Sequence, residues 1–227
     1  MNQQEIREEL LEPLLAETGS DFYTDAVMNY AISHSYRIFC RDTGGGPVAS
    51  FEETGDGTTR SWQLPAELVD IRRVDYDTTQ DEIPFLPFEH FSLRFGDNWI
   101  ANTATGRPDA YAVMGSHSVI FKPIPAVKVF KLYGPIIPDA LASDSTELLV
   151  TEGDAYTISD MAYVRLVERH GSRTGQLPPN YDRVKAAAEN GLRKAIGRIH
   201  KMHGGVRVAG RLSSFVRLSP TPNWDTA

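Results

Sequence analysis

The chain has 227 residues and a formal charge of −7, with 41% hydrophobic and 23% charged residues. That is the balance of a folded globular protein, with material for a single large domain or a small bipartite fold, and it excludes disorder along the whole length. A single cysteine, Cys40, excludes an internal disulfide framework. The opening MNQQEIREEL puts charges where a signal peptide carries an apolar run, and no apolar stretch approaches the roughly 18–20 residues of a membrane span. The residues therefore predict a protein made in the cytosol, neither secreted nor inserted in a membrane.

The charge is unevenly placed. Residues 1–160 hold 11 Lys+Arg against 26 Asp+Glu, a net −15, whereas residues 161–227 hold 12 against 4, a net +8. Such segregation implies two surfaces with different neighbours, one of them acidic protein or nucleic acid, or else one long solvated basic helix.

Ile6, Leu10, Leu11, Leu14 and Leu15 recur at helical spacing, with Gly19 as the stop and Pro13 as a kink or a late start. Thr24 offers an N-cap for a second helix that places Val27, Tyr30, Ala31 and Ile38 on one face and ends at Thr43-Gly44-Gly45-Gly46-Pro47. From about Ser50 the period changes to two. Strands are expected at Ser61–Pro65, at Leu68–Tyr76 with a bulge at Arg72-Arg73, at Asp109–Met114, at His117–Lys122 and at Val127–Tyr133. Phe88–Phe95 reads as a short helix, and Gly115-Ser116 as a tight hairpin turn.

Helix returns after Gly153-Asp154, with Ala155, Ile158, Ala162 and Leu166 as its stripe and His170-Gly171 as its end. The longest helix runs from Tyr181 to about Met202 on Val184, Ala188, Leu192, Ala195, Ile199 and Met202, and Gly204-Gly205 terminates it. The remainder has no helical period. It carries two prolines, three arginines and the spaced apolar residues Val206, Val208, Leu212, Phe215, Val216, Leu218 and Trp224. A disordered tail is ordinarily poor in such residues. This one reads as an extended peptide that buries them in another molecule, with folding back onto its own domain as the alternative.

The predicted fold class is α+β: a bundle of about four main helices with an inserted small antiparallel β module and an extended C-terminal arm. The expected boundaries are 1–49 for the N-terminal helices, 50–150 for the β module, 151–203 for the C-terminal helices and 204–227 for the partner-binding arm.

No catalytic motif survives inspection, so catalytic, cofactor and metal residues are all predicted absent. The glycines at 44–46 lack the Lys and Ser/Thr of a phosphate-cradling loop. Gly115-Ser116-His117 lacks the second glycine and the strand-to-helix turn of a nucleophile elbow. His170, His200 and His203 sit among Arg198 and Lys201 with no carboxylate nearby, which opposes a metal site. Asp75, Asp77, Asp81 and Glu82 read as a solvated turn, and Cys40 as a small core residue.

The order of these pieces is recognisable. Thr18-Gly19-Ser20-Asp21-Phe22-Tyr23-Thr24-Asp25 leads into a Tyr-bearing helix. Trp62-Gln63-Leu64-Pro65-Ala66-Glu67-Leu68 and Val69–Val74 follow, then Thr105-Gly106-Arg107-Pro108-Asp109-Ala110-Tyr111 and Phe121-Lys122-Pro123-Ile124-Pro125, and finally a helix opening Asp154-Ala155-Tyr156. Over roughly residues 3–203 this resembles the head-to-tail adaptor family of tailed bacteriophages. The resemblance implies a structural, non-enzymatic subunit in the virion neck, assembled in the host cytoplasm. It implies a ring, usually of twelve copies, beneath the portal protein, with a tail or nozzle protein on the opposite face. DNA would pass through the lumen without sequence-specific binding, on its way out of the capsid. A C-terminal extension would dock on portal subunits, which here assigns portal binding to Arg207, Arg211, Leu212, Phe215, Arg217, Leu218 and Trp224. The interrupted, Pro-rich tail from Gly204 to Ala227 departs from the family pattern.

Three other readings fit segments of the chain: a neck stopper or tail-completion protein, a nucleic-acid-binding accessory protein using the basic last helix and arm, and an enzyme with an unrecognised site. Against the second, only Phe215 and Trp224 in the arm could stack on bases.

Overall fold

The computed structural model describes residues 1–16, 23–77, 81–96, 100–101, 103–115, 118–141, 143–174 and 177–202. Gly19, the Ser116-His117 turn, His203 and the arm at 204–227 lie outside the described residues. The fold is mixed α+β, as the periodicities predicted. The described residues divide into two compact units: residues 1–51, 66–73 and 132–202, and residues 52–65 and 74–131.

In the first unit, the N-terminal run opens on a capping box. Asn2 Oδ1 accepts the Glu5 amide at 2.8 Å while Glu5 Oε2 accepts the Asn2 amide at 2.9 Å. Helix α1 (Gln3–Glu5) passes into a π-helical stretch, Ile6–Leu11, and then α2 (Glu12–Ala16). The Glu12 amide reaches back to the Arg7 carbonyl, five residues away. Proline at 13 has no N–H to donate, and the ladder ahead of it widens accordingly. Neither a late start nor a sharp kink is needed. Ile6, Leu11 and Leu15 are buried.

Helix α3 (Asp25–Thr43) stops where the glycines say it should. Gly44 adopts φ 67, the left-handed conformation that glycine takes without cost, and its amide caps the Cys40 carbonyl. Two residues on, a Cβ at Gly46 would lie 2.3 Å from the Ile136 carbonyl oxygen. The buried face of α3 differs from the expected one. Met28, Ile32, Tyr36, Phe39 and Cys40 are inside along with Ala31, whereas Tyr30 is 55% exposed and Val27 and Ile38 are half-buried. The helix packs against the N-terminal run, α5 (Glu152–Thr174) and α6 (Tyr181–Met202), so a wide face is covered and small polar residues share it. One of these, Ser33, accepts the Leu141 amide at 3.0 Å.

Helix α5 is buried on nearly every side. Its predicted stripe, Ala155, Ile158, Ala162 and Leu166, is inside, and so are Met161, Tyr163, Val164 and Val167. It does not end at His170-Gly171 but continues to Thr174. One glycine costs a helix only about 1 kcal/mol, which packing outweighs. On α6, Val184, Ala188, Leu192 and Ala195 are buried as expected, Ile199 is half-buried, and Met202 at the end of the stripe is 70% exposed. The N-terminal run and α6 both pack on the α3–α5 pair rather than extensively on each other.

In the second unit, β2 (Ser61–Gln63), β7 (Ser118–Lys122) and β6 (Ala110–Met114) form an antiparallel sheet in the order β2–β7–β6. Trp62, Phe121 and Phe130 meet with ring centroids 5.0–5.4 Å apart. Helix α4 (Phe88–Phe95), foreseen from its sequence, buries Phe91 against Ala110, Ala112 and Ile120, where two small strand residues make room for the ring.

A further sheet has the order β1 (Val48–Thr54), β9 (Val129–Pro135), β3 (Arg73–Tyr76) and β4 (Asp81–Glu82), and β5 (Thr105–Gly106) pairs in parallel with β8 (Ile124–Pro125). The expected strand from Leu68 begins only at Arg73; Leu68 makes one isolated bridge, to Ile136. The slip at Arg72 has a cause within the first unit. Its guanidinium donates to the Gly44 carbonyl at 2.7 Å, capping the C-terminus of α3, so the side chain leaves the strand pattern.

Leu192→Ala removes a buried side chain from the α6 stripe and should cost on the order of 2–5 kcal/mol. Chemical denaturation checks this, and an unchanged midpoint would refute the assigned face.

Candidate partner-binding surfaces

The residues predicted to bind the portal, Arg207, Arg211, Leu212, Phe215, Arg217, Leu218 and Trp224, all lie outside the described residues. The structure does describe the helix that leads to them. Helix α6 runs antiparallel to α5 and is clamped to it at both ends. At the arm end, Arg198 Nη2 donates to both oxygens of Asp154, at 2.6 and 2.7 Å. Asp154 is buried and also accepts the Thr151 hydroxyl at 2.7 Å, closing the first turn of α5. At the other end, the Tyr181 hydroxyl donates to Glu168 at 2.5 Å, Lys185 Nζ lies 3.1 Å from that hydroxyl, and the Tyr163 hydroxyl donates to Asn180.

Arg198 is therefore engaged within the subunit, but Arg193, Lys194 and Lys201 are exposed and have no carboxylate partner among the described residues. Lys194, Gly197, Arg198, Lys201 and Met202 line a shallow concavity along one side of α6. The +8 of the C-terminal segment thus surfaces, to this extent, as a cationic helix face.

The N-terminal run presents the opposite sign. Arg7 is buried and lies within 3.1–3.8 Å of four carboxylates: Asp144, Glu8, Glu12 and Asp25. Asn29 donates to Asp144 at 2.6 Å and accepts from Arg7 at 3.2 Å. Burial pulls the Arg7 pKa down, but Asp144, Glu8 and Asp25 outweigh it and hold the guanidinium above its ordinary value. One cation cannot neutralise four anions, and each of the four side chains is 45–72% exposed. The rim of this cluster is anionic.

Sequence reading missed both arrangements. A lone base at position 7 among acids at 5, 8, 9 and 12 was the available signal for the cluster. The Asp154–Arg198 clamp joins residues 44 apart and leaves no local pattern.

The remaining candidates resolve individually. The Cys40 thiol is fully enclosed, and burial pushes its pKa up to about 12, as fits a core residue. His170 packs beside Tyr23, with centroids 5.8 Å apart; the side chain of His200 and the whole of His203 are outside the described residues. Among the described residues no three His, Cys, Asp or Glu side chains are grouped to hold a metal ion. The acidic turn is not uniformly solvated: Asp75 is buried, and Asp77, in a left-handed turn with φ 62, pairs with Lys128 at 2.8 Å. Two further groups in the helical unit, His34 and Asp160, are also shifted. Burial, with Arg165, Arg37 and Arg41 nearby, lowers His34 to about 4. Burial raises Asp160 to about 6, against the pull of Arg183.

The described residues thus present two helix faces of opposite charge. The model of one family, described as SU10 adaptor protein, matches residues 1–215. The chain belongs to that family, a phage head-tail adaptor family of the kind the resemblance indicated. No curated protein matches it.

The two perturbed groups give opposite pH dependences. As pH falls from 6.5 to about 4, the unfolded chain protonates His34 before the folded one does, so stability drops. As pH rises from 3.8 to about 6, the unfolded chain releases the Asp160 proton first, so stability also drops in that direction, and the loss is complete above pH 6. Asp160→Asn should therefore raise the melting temperature at about pH 7 and lose that advantage below about pH 3.5. Melting curves at the two pH values check this; equal gains at both would contradict it.

Proposed function

We propose that this phage adaptor is the ring subunit set beneath the portal. In this reading usually twelve copies connect the capsid to a tail or nozzle protein on the opposite face and form a section of the DNA ejection channel. Residues 204–227 are the attachment device, docking on portal through Arg207, Arg211, Leu212, Phe215, Arg217, Leu218 and Trp224. The observation that carries the reading is the extent of the family match, which runs through both compact units and reaches residue 215, inside the arm. The segregation of charge supports it. An acidic stretch suits a conduit that must pass DNA without gripping it, because phosphate contacts multiply around a ring. The virion neck is the corresponding location, and no described helix is long and apolar enough to cross a membrane.

Deleting residues 205–227 should leave a folded protein, since the buried stripes of α3, α5 and α6 remain, and should abolish co-sedimentation with purified portal. A truncated chain that binds portal at full stoichiometry would refute the arm's role. Phe215→Ala with Trp224→Ala should weaken attachment by ~2 kcal/mol or more, as aromatic anchors commonly do.

Arg207→Glu with Arg211→Glu and Arg217→Glu should weaken attachment as raised salt does and leave duplex binding negligible. Normal attachment with altered DNA binding would put the arm in the DNA path instead. Light scattering should find the free subunit as monomer or small oligomers, and a large defined assembly once portal is added.

A further inference from the structure

The two charged faces described above belong to the same compact unit, and their placement is informative. The N-terminal run and α6 each touch both α3 and α5 and are not extensively packed on each other. Four rods with that contact pattern form a rhombus. The α3–α5 pair is its short diagonal, and the N-terminal run and α6 stand at the far corners, facing away from one another.

A closed ring is built from heterologous contacts, in which one patch of a subunit meets a different patch on the next. Such an assembly needs two complementary surfaces that point in different directions. The far corners of the rhombus are surfaces of that kind, and their chemistry is matched. Residues 1–36 hold seven carboxylates and one basic side chain, the buried Arg7. Helix α6 holds six Lys and Arg against two acids.

Lys194, Arg198 and Lys201 recur at four and three residues along an α-helix and form one ladder. The exposed acids that would meet it are Glu8, Glu9 and Glu12 of the N-terminal run. Gly197, in the middle of the cationic ladder, leaves a notch where an added Cβ would meet nothing within 4 Å. Met202, exposed at its end, supplies an apolar contact.

We infer that the cationic side of α6 docks on the acidic N-terminal run of a second copy of this chain, so that the two faces form the subunit-to-subunit contact of the assembly. This rests on the ring reading above and names the surfaces that close it. Within one subunit the four carboxylates around Arg7 are three in excess; in the assembly the neighbour's Lys194 and Lys201 supply two of the missing cations. The contact lies near the surface and is screened by salt, so it weakens as ionic strength rises.

The test uses the full-length chain, in sedimentation equilibrium over a concentration series at low salt and in ring formation on purified portal. Lys194→Glu with Lys201→Glu makes both faces acidic and touches no ion pair of the fold. It should lower the self-association constant by on the order of ten-fold or more. Glu9→Lys with Glu12→Lys turns the three exposed acids at 8, 9 and 12 into two bases and one acid and should do the same.

Mixing the two variants restores both contacts, and association should return toward the wild-type level. Should lysine beside Arg7 prevent folding of the second variant, Glu9→Lys alone replaces it, because Glu9 has no ion pair among the described residues.

Wild-type assembly by Lys194→Glu/Lys201→Glu would overturn the inference while leaving the ring intact. So would two folded variants that fail to complement each other. A wild-type chain that self-associates neither alone nor on portal would overturn the ring reading, and this inference with it.

Discussion

The helical unit depends on a helix that has almost no face in water. Helix α5 is enclosed by its neighbours, yet Asp154, Thr157, Ser159 and Tyr163 are among its buried residues. A polar group taken out of water costs free energy unless it finds a partner. Two of the partners come from α6 and the turn before it, Arg198 for Asp154 and Asn180 for Tyr163, while Thr157 donates to the Gly153 carbonyl within α5. Sliding α6 by one turn, about 5.4 Å, would strand Asp154 as an unpaired buried carboxylate. Apolar stripes tolerate small shifts, but these bonds do not. The α5–α6 register is therefore set at the two clamps, and α3 and the N-terminal run pack onto a pair whose geometry is already fixed.

The charged residues not consumed by this arrangement stay on the rim, and there function is read. Cys40 and His34 are held neutral near pH 7 by their surroundings, and Asp160 is discouraged from ionising. Exposed glutamates of the N-terminal run and lysines of α6 are among the charges left on that rim. The unusual titrations are thus costs of burial, and ready charges are spread along helix faces. Membership in an adaptor family agrees with that distribution.

Much of this was legible in the sequence wherever one period governed a long segment. The α6 stripe from Val184 to Ala195 and the existence of the short helix α4 followed from the sequence pattern. Reading failed where a residue served two masters. Tyr30 looked like core but lies outside, beside His34 and with the Arg165 guanidinium 5.9 Å from its ring. Arg72 belonged to a strand by pattern and to a helix C-terminus by hydrogen bond. Gly171 resembled a stop, but a helix packed on all sides ran through it. The clamps and the Arg7 cluster were invisible for a different reason: their members are far apart in the chain, and no periodicity links position 7 to 144 or 154 to 198.

The antiparallel pairing of α5 and α6 also has a mechanical consequence. Beyond Met202 the chain continues toward its C-terminus, so tension applied there enters the helical unit along the axis of α6. It meets α5 side by side rather than end on. In that geometry a pull shears the pair, and every contact along the stripe from Val184 to Ala195 resists together instead of yielding in succession. The Arg198–Asp154 clamp stands closest to the point of loading, where a bidentate pair anchored in the first turn of α5 passes the force directly to the most enclosed helix of the unit. A helix paired in this way is suited to bearing load.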